Sequence, residues 1–271
     1  MAASFALQTA TAARADQLPL WELGAGAAVV NFPDYRGSDE RHTYPLPIPY
    51  VIYRGETLKV DRQKVRGLLF ETRLAELDMS ASGSVPVKSD DNHARRGMPD
   101  LDPTLEVGPS LNVFLYRSAG GRATLELRLP LRAILSSDFK EVNYQGLLFH
   151  PHLNLALKDM IPGPGWNLGL VIGPVFATRK YHDYFYSVAP QFALPDRPTY
   201  EAHGGYSGTA FIAALSKRFD RYWFGAFFKA DSLHGAAFES SPLMKQKSAL
   251  SGGVAVAYVL SKSSRLVEAR E

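Results

Sequence analysis

The feature that most restricts how this chain can fold is a two-residue alternation of apolar and polar side chains, repeated in separate segments. From Ala123 onward, Leu125, Leu127, Leu129 and Leu131 alternate with Thr124, Glu126, Arg128 and Arg132. Successive side chains of a strand point to opposite faces, so this spacing puts leucines on one face and charges on the other, whereas a helix would scatter the charges around its circumference. The pattern returns at Leu147, Phe149, Leu153, Leu155 and Leu157, opposed by His150, His152, Asn154 and Lys158. It returns at Leu105, Val107, Leu111, Val113 and Leu115 against Glu106, Ser110 and Asn112, and at Leu77, Met79, Ala81 and Val85 against Asp78, Ser80, Ser82 and Ser84.

Strand length then selects an architecture. Strands of soluble proteins usually run about five or six residues, while a tilted strand crossing an outer membrane needs about 9 to 11. Further segments of about that length are 20–30, 44–53, 166–178, 206–218, 222–232 and 250–260, with shorter ones at 56–61 and 67–72. The reading is an all-β fold: a single antiparallel transmembrane β-barrel of about twelve strands, whose closure leaves no sheet edge exposed. Connections support it by falling into two alternating classes. Short turns are Arg54-Gly55, Ser118-Ala119-Gly120-Gly121, Pro162-Gly163-Pro164-Gly165 and Phe219-Asp220-Arg221. Longer polar stretches at 31–43, 88–103, 136–143, 179–205 and 233–247 would lie outside the cell, the short turns in the periplasm. Tyr44, Tyr50, Tyr53, Tyr116, Trp166, Tyr206, Tyr222 and Tyr258 lie near strand ends, where interfacial aromatic girdles are expected.

Composition narrows the function. The 271 residues are 46% hydrophobic and 21% charged, and no uninterrupted apolar run approaches the roughly 20 residues of a membrane-spanning helix. With no cysteine, disulfides, thiolate metal sites and a cysteine nucleophile are excluded. The net charge of +3 is evenly interleaved, unlike the clustered Lys and Arg of a nucleic-acid footprint. Residues 1–15 read as the remnant of a signal peptide or a disordered leader, with an A-x-A-like site at Ala13-Arg14-Ala15. The barrel would occupy 16–260, followed by a charged tail at 261–271.

Candidate chemistry is sparse. Glu126, Arg128, Arg132, His150, His152 and Asn154 are expected to face the lumen, the charges pairing across it or setting ion selectivity. His150 and His152 share a strand face, but lack a third ligand at obvious spacing, so no metal site is assigned. His182, Asp183 and Ser187 contain the residue types of a catalytic triad without a nucleophile elbow. No catalytic residue and no cofactor are expected. Asp34, Arg36, Asp39, Glu40 and Arg41 read as a salt-bridge cluster within the first long loop, and the segment 179–205, rich in Tyr, Phe and Pro, as a loop that could plug the lumen.

Several blocks together carry a family resemblance. They are Pro33-Asp34-Tyr35-Arg36-Gly37-Ser38-Asp39, then Leu46-Pro47-Ile48-Pro49-Tyr50-Val51 and Tyr53-Arg54-Gly55, then Arg66-Gly67-Leu68-Leu69-Phe70, Tyr184-Phe185-Tyr186-Ser187-Val188, and Ser241-Pro242-Leu243 leading into Gly252-Gly253-Val254 and Ala257-Tyr258. In this order they resemble the MipA/OmpV family of outer-membrane proteins. The resemblance implies a barrel in the Gram-negative outer membrane, embedded in lipid and lipopolysaccharide. It implies a scaffold role between a periplasmic murein hydrolase and a synthase, the alternative being a narrow porin-like channel for small solutes. A monomer without enzymatic activity is expected in either case. Family members tend to finish on an aromatic residue, whereas here Tyr258-Val259-Leu260 runs into the charged tail.

Overall fold

A computed structural model of the chain describes residues 17–55, 58–60, 65–72, 74–138, 140–159 and 162–268. In chain order the strands are β1 (Gln17–Pro19), β2 (Trp21–Pro33), β3 (Arg41–Arg54), β4 (Leu58–Val60), β5 (Val65–Glu71), β6 (Ala75–Ser84), β7 (Thr104–Arg117), β8 (Ala123–Ser137), β9 (Val142–Phe149), β10 (His152–Lys158), β11 (Trp166–Ala177), β12 (Gly205–Phe219), β13 (Tyr222–Ser232), β14 (Ser248–Lys262) and β15 (Leu266–Glu268), with one helix, α1 (Arg179–Tyr186), between β11 and β12. The proposed leader, residues 1–15, lies outside the described residues. No helix among the described residues is long and apolar enough to cross a membrane.

The antiparallel pairings return to their starting point. From β2 they run through β3, β4, β5, β6, β7 and β8 to β9 and β10, and from there through β11, β12, β13 and β14 back to β2. Strands β9 and β10 are two halves of one span, since both pair with β8 on one side and β11 on the other. The interruption falls at His150-Pro151, where proline has no N–H to give to a ladder. Counted this way, the ring has twelve spans among the described residues. Outside it, β1 and β15 form a separate two-stranded ribbon, so part of the charged tail pairs with the start of the described chain.

The two faces of this wall carry the alternation. Leu105, Ile172 and Val254, each 52% exposed, stand on the outer face with Leu23, Leu111, Leu131 and Leu153. A continuous apolar patch of this kind has no stable place in water and is the lipid-facing band of a membrane barrel. Ring pairs mark its turn-side border: Tyr222 with Tyr258 at 5.0 Å, and Trp166 with Phe219 at 6.4 Å and with Phe224 at 6.2 Å. Tyr116 is also outward and exposed. Two of the expected girdle tyrosines are corrected. Tyr44 stacks on Phe32 at 5.1 Å on the inner side, and Tyr50 is buried with Ile52, Ala257 and Val259. Small residues of β2 line this inner face, Gly24, Gly26 and Ala28 opposing Tyr50, Ile48 and Leu46, whereas Tyr44 lies opposite Val30.

Candidate functional site: a charged lumen under an interlocked lid

The six polar residues expected in the lumen are brought together there. Register places Asn154 opposite Glu126 and His152 opposite Arg128, and the His150 amide donates to the Pro130 carbonyl at 3.2 Å. The Arg128 guanidinium donates to Glu126 at 2.6 Å, and the Asn154 amide reaches the same carboxylate at 3.4 Å. Arg132 donates to Ser80 Oγ at 3.0 Å and pairs with Glu106 at 3.2 Å. Asn112, which accepts from Ser110, donates onward to Asp78 at 3.1 Å. The lumen wall from β6 to β10 is therefore a hydrogen-bonded charge ladder, neutralised in pairs. The imidazoles of His150 and His152 lie 4.6 Å apart between centroids, and His152 Nδ1–H donates to the His150 carbonyl at 2.7 Å. Among the described residues no group of three His, Asp or Glu side chains is placed to hold a metal ion.

The opposite wall is chemically different. On β13, β14, β2 and β3 the inward positions include Gly225, Phe227, Gly253, Ala255, Gly26, Ala28, Val30, Leu46 and Ile48, with the Lys229–Asp231 ion pair at 3.0 Å and Ser251 nearer the lid. The lumen thus has one charged arc and a second arc that is apolar on β14, β2 and β3 below the Lys229–Asp231 pair of β13. At the short-turn end an ion cluster spans this second wall, where buried Glu22 accepts from Arg54 at 2.9 Å and from Arg218.

Above the lumen the long connections pack into one body. Residues from four of them, Tyr35, Val87, Met98, Leu101, Tyr186, Val188, Leu233, Phe238 and Leu243 among others, form a single buried apolar cluster. Phe238 and Tyr186 stack at 3.6 Å with planes only 4° apart. Helix α1 carries Tyr181 down against Ile134, Leu148, Val175 and Ala210 of the barrel interior, so the segment 179–205 folds into the mouth as a plug would. Arginines fasten the backbone of separate loops. Arg197 donates to the carbonyls of Ala94, Arg96 and Phe192 at 2.8 to 3.0 Å, and Arg95 to those of Phe185 and Pro99 at 3.1 Å. Each guanidinium brings five donors in a rigid fork, which suits it to several carbonyls at once.

Most of the family-motif residues belong to this lid. Tyr35 Oη donates to the Leu243 carbonyl at 2.8 Å, Tyr186 Oη to that of Arg36 at 2.9 Å, and Ser241 Oγ to that of Tyr186 at 2.7 Å. Gly37 adopts φ +97, a left-handed backbone that favours glycine, and its carbonyl accepts from the amides of Lys245 and Gln246. Ser38 is buried and accepts from Asn92 at 3.0 Å, Asp39 is exposed, and Pro242 precedes the buried Leu243. Pro49 lies on β3, Arg54 ends that strand on Glu22, and Gly55 follows in the turn. Arg66 and Gly67 pair through their backbones with Lys59 and Leu58, and their side chains lie outside the described set.

Two local readings change. The charges of the first long loop do not pair with one another: Arg36 reaches Asp231 on β13 at 3.1 Å, Asp34 meets His42 at 2.6 Å and Asn92 at 2.8 Å, and Glu40 accepts from the His93 amide at 2.9 Å. They bind across the lid because their neighbours in sequence diverge at the rim. His182 likewise turns from Ser187 to Ser207, with Nε2 at 2.5 Å from its hydroxyl and Nδ1 donating to the His203 carbonyl at 2.5 Å, while Ser187 donates to Asp183 at 2.7 Å. Both His182 and Ser207 are fully buried, and no triad is assembled. Burial holds the His182 imidazole below its ordinary value, against the opposing pull of the His203 carbonyl. Sequence reasoning missed Arg95, Arg197 and Ser207 because each acts on a partner distant in the chain. Arg197, a lone cation among the Phe, Pro and Tyr of 189–200, was the available signal.

A closed antiparallel ring with an apolar exterior, a charged inner arc and short turns opposite a loop-packed mouth defines an outer-membrane-type β-barrel. A family model described as MltA-interacting protein MipA matches residues 23–260, and the chain belongs to this family. A search of curated proteins finds no match. Among solved structures the chain is similar to a CymD monoaromatic hydrocarbon channel, at 11% identity and a TM-score of 0.28 over 92% of this chain and 68% of that one. It is similar also to a TodX deltaS2S3 mutant monoaromatic hydrocarbon channel, at 11% identity and a TM-score of 0.28 over 88% of this chain and 66% of that one.

Proposed function

We propose that this barrel resides in the outer membrane of a Gram-negative bacterium, in contact with lipid and lipopolysaccharide, and acts as a monomeric scaffold for periplasmic murein hydrolase and synthase, with no catalysis or cofactor of its own. The observation that carries the reading is the lid. Its apolar cluster and its arginine-to-carbonyl fastenings occupy the extracellular mouth, which suits a platform better than a free aqueous pore. The family description as an MltA-interacting protein supplies the class of partner. The test is retention of a purified lytic transglycosylase on the immobilised, refolded barrel in detergent. Saturable retention, competed by the soluble barrel, is expected, and no retention above an unrelated barrel of similar size would overturn the reading.

A narrow channel is the second reading, favoured by the charged arc of Glu106, Glu126, Arg128 and Arg132 along the lumen. Steady single-channel conductance of the intact barrel would move the assignment to it.

A further inference from the structure

The paired outward rows of β10 to β14 hold a single charged side chain. Cross-strand partners share a face, so register lines up Trp166, Lys217, Phe224 and Val256 on the outside of the wall, with Phe219, Tyr222 and Tyr258 in the next row towards the short turns. Exposure agrees: Phe219, Tyr222 and Val256 are about half exposed, and Trp223, between the two rows, turns inward onto Tyr50. The other outward residues of these paired rows are uncharged, from Leu153, Leu155 and Leu157 on β10 to Leu250 and Val254 on β14. Lys217 stands alone at the border of the hydrocarbon band. A cation there has given up part of its water and needs a partner.

Neighbouring rings aim this side chain. Trp166 and Phe224, on either side of Lys217 in the row, meet each other edge to face at 6.2 Å, and Trp166 meets Phe219 in the same way at 6.4 Å. The lysine stem accordingly leaves the row towards the turn, where Nζ donates to the Pro164 carbonyl at 3.1 Å and lies 5.3 Å from the Trp166 ring centroid and 5.1 Å from that of Phe219. Gly165 makes room for it: its φ of +77 suits glycine, and a Cβ there would sit 3.2 Å from Lys217 Cε. One of three ammonium donors is used, and among the described residues no carboxylate pairs with Lys217. The upright rings leave a hollow of about 550 Å³ against the wall, lined by Trp166, Phe219, Tyr222, Trp223, Phe224 and Val256. At its far border Arg221 donates to Tyr258 Oη at 3.4 Å, its charge partly offset by Asp220 of the same turn.

An apolar hollow in the lipid-facing band, open beside a lone ammonium, fits a molecule with both a hydrocarbon chain and an anionic head. We propose that it binds one anionic phospholipid of the phosphatidylglycerol class, drawn from the leaflet beside the short turns. An acyl chain lies in the hollow over Phe224 and Val256, and the phosphodiester accepts from the two remaining donors of Lys217. A zwitterionic phospholipid carries its own ammonium next to its phosphate and gains less from a second one. A second copy of the chain is disfavoured as occupant, because the same face would bring another Lys217 and, from the outward rows of these strands, no carboxylate to meet it. The site rests on the reading of the outer wall as lipid-facing.

The tryptophans are Trp21, Trp166 and Trp223, so Trp21→Phe with Trp223→Phe leaves Trp166 as a reporter at the hollow. If the double variant does not refold, Trp21→Phe alone gives the same comparison, with inward Trp223 as a constant background. The protein is refolded into phosphatidylethanolamine vesicles and checked for the heat-modifiable band, which tests insertion separately from the site. It is then titrated with phosphatidylglycerol or phosphatidylethanolamine brominated near the head-group end of the chains. Brominated phosphatidylglycerol is expected to quench Trp166 at about fivefold lower mole fraction, the factor supplied by one lysine meeting anionic lipid. Lys217→Arg should keep that difference and Lys217→Gln should abolish it, while inorganic phosphate leaves the quenching unchanged. Equal quenching by the two lipids, a preference that survives Lys217→Gln, or relief by free phosphate would each overturn the site. Quenching that disappears as the protein-to-lipid ratio rises would overturn it in favour of a second copy. None of these outcomes depends on whether a murein hydrolase is retained.

Discussion

The lid and the wall use the same kinds of side chain for opposite purposes. In the lid, Leu233, Phe238, Leu243 and Val188 are fully buried in a core like that of a soluble domain. In the wall, Leu105, Leu131, Ile172 and Val254 are turned outward, and along β6, β7 and β8 the buried or inward positions go to Asp78, Asn112, Glu126 and Arg128. The difference is solvent. Water surrounds the loops, so their apolar groups gain by leaving it, whereas hydrocarbon surrounds the wall and the polar groups must find partners inside. A short chain thus holds two hydrophobic solutions joined at the rim, and substitutions should separate them.

The largest effect is expected in the lid. Phe238→Ala removes a fully buried ring that stacks on Tyr186, and a cost of about 3 to 5 kcal/mol is expected for lid stability. The barrel should still show its heat-modifiable band, while limited proteolysis of the loops accelerates; loss of the band as well would show that the two regions fold as one. Next comes Leu129→Arg, which places a cation on the lipid face at about 2 to 4 kcal/mol near the midplane. Here the folded band itself should be lost in vesicles. If Leu129→Arg and Glu126→Gln behaved alike, the assignment of faces would be wrong.

A pH effect should follow, confined to the lid. The folded His182 imidazole binds its proton less readily than the ordinary value of 6.5, so the unfolded lid binds more protons in the window below that value. Its contribution is complete above about pH 6.5 and is lost as pH falls below it. Hydrogen-exchange protection in residues 179–205, taken relative to the intrinsic amide rate at each pH, should fall on acidification, and His182→Gln should flatten that dependence. An unchanged profile in that variant would assign the pH response elsewhere. The smallest effect is expected for Glu126→Gln, about 1 kcal/mol or less for a partly hydrated pair, read as a slight shift in thermal unfolding.

How legible these two regions were in the sequence differs for a physical reason. The wall repeats every two residues, so Leu125 to Arg132 and Leu153 to Lys158 disclose their faces locally, and the alternation of turns and loops discloses their order. Interruptions were harder. The break at His150-Pro151 splits one span into β9 and β10, and the inward turn of Tyr44 and Tyr50 follows from their sharing one face of β3 with Leu46 and Ile48. The lid has no period. That Arg36 would cross to Asp231, or Arg197 to the loop of Ala94, depends on which loops meet at the rim once the ring has closed. Motif blocks such as Tyr35 to Asp39 and Ser241-Pro242-Leu243 marked those places without disclosing that they bind each other.

The most direct test of a barrel sealed by its own loops is single-channel conductance in a planar bilayer, comparing the refolded intact chain with a variant lacking residues 191–201. The account predicts silence from the intact barrel and conductance from the deletion, because that segment includes Arg197 and its fastenings to the carbonyls of Ala94 and Arg96. Steady conductance from the intact protein would contradict it.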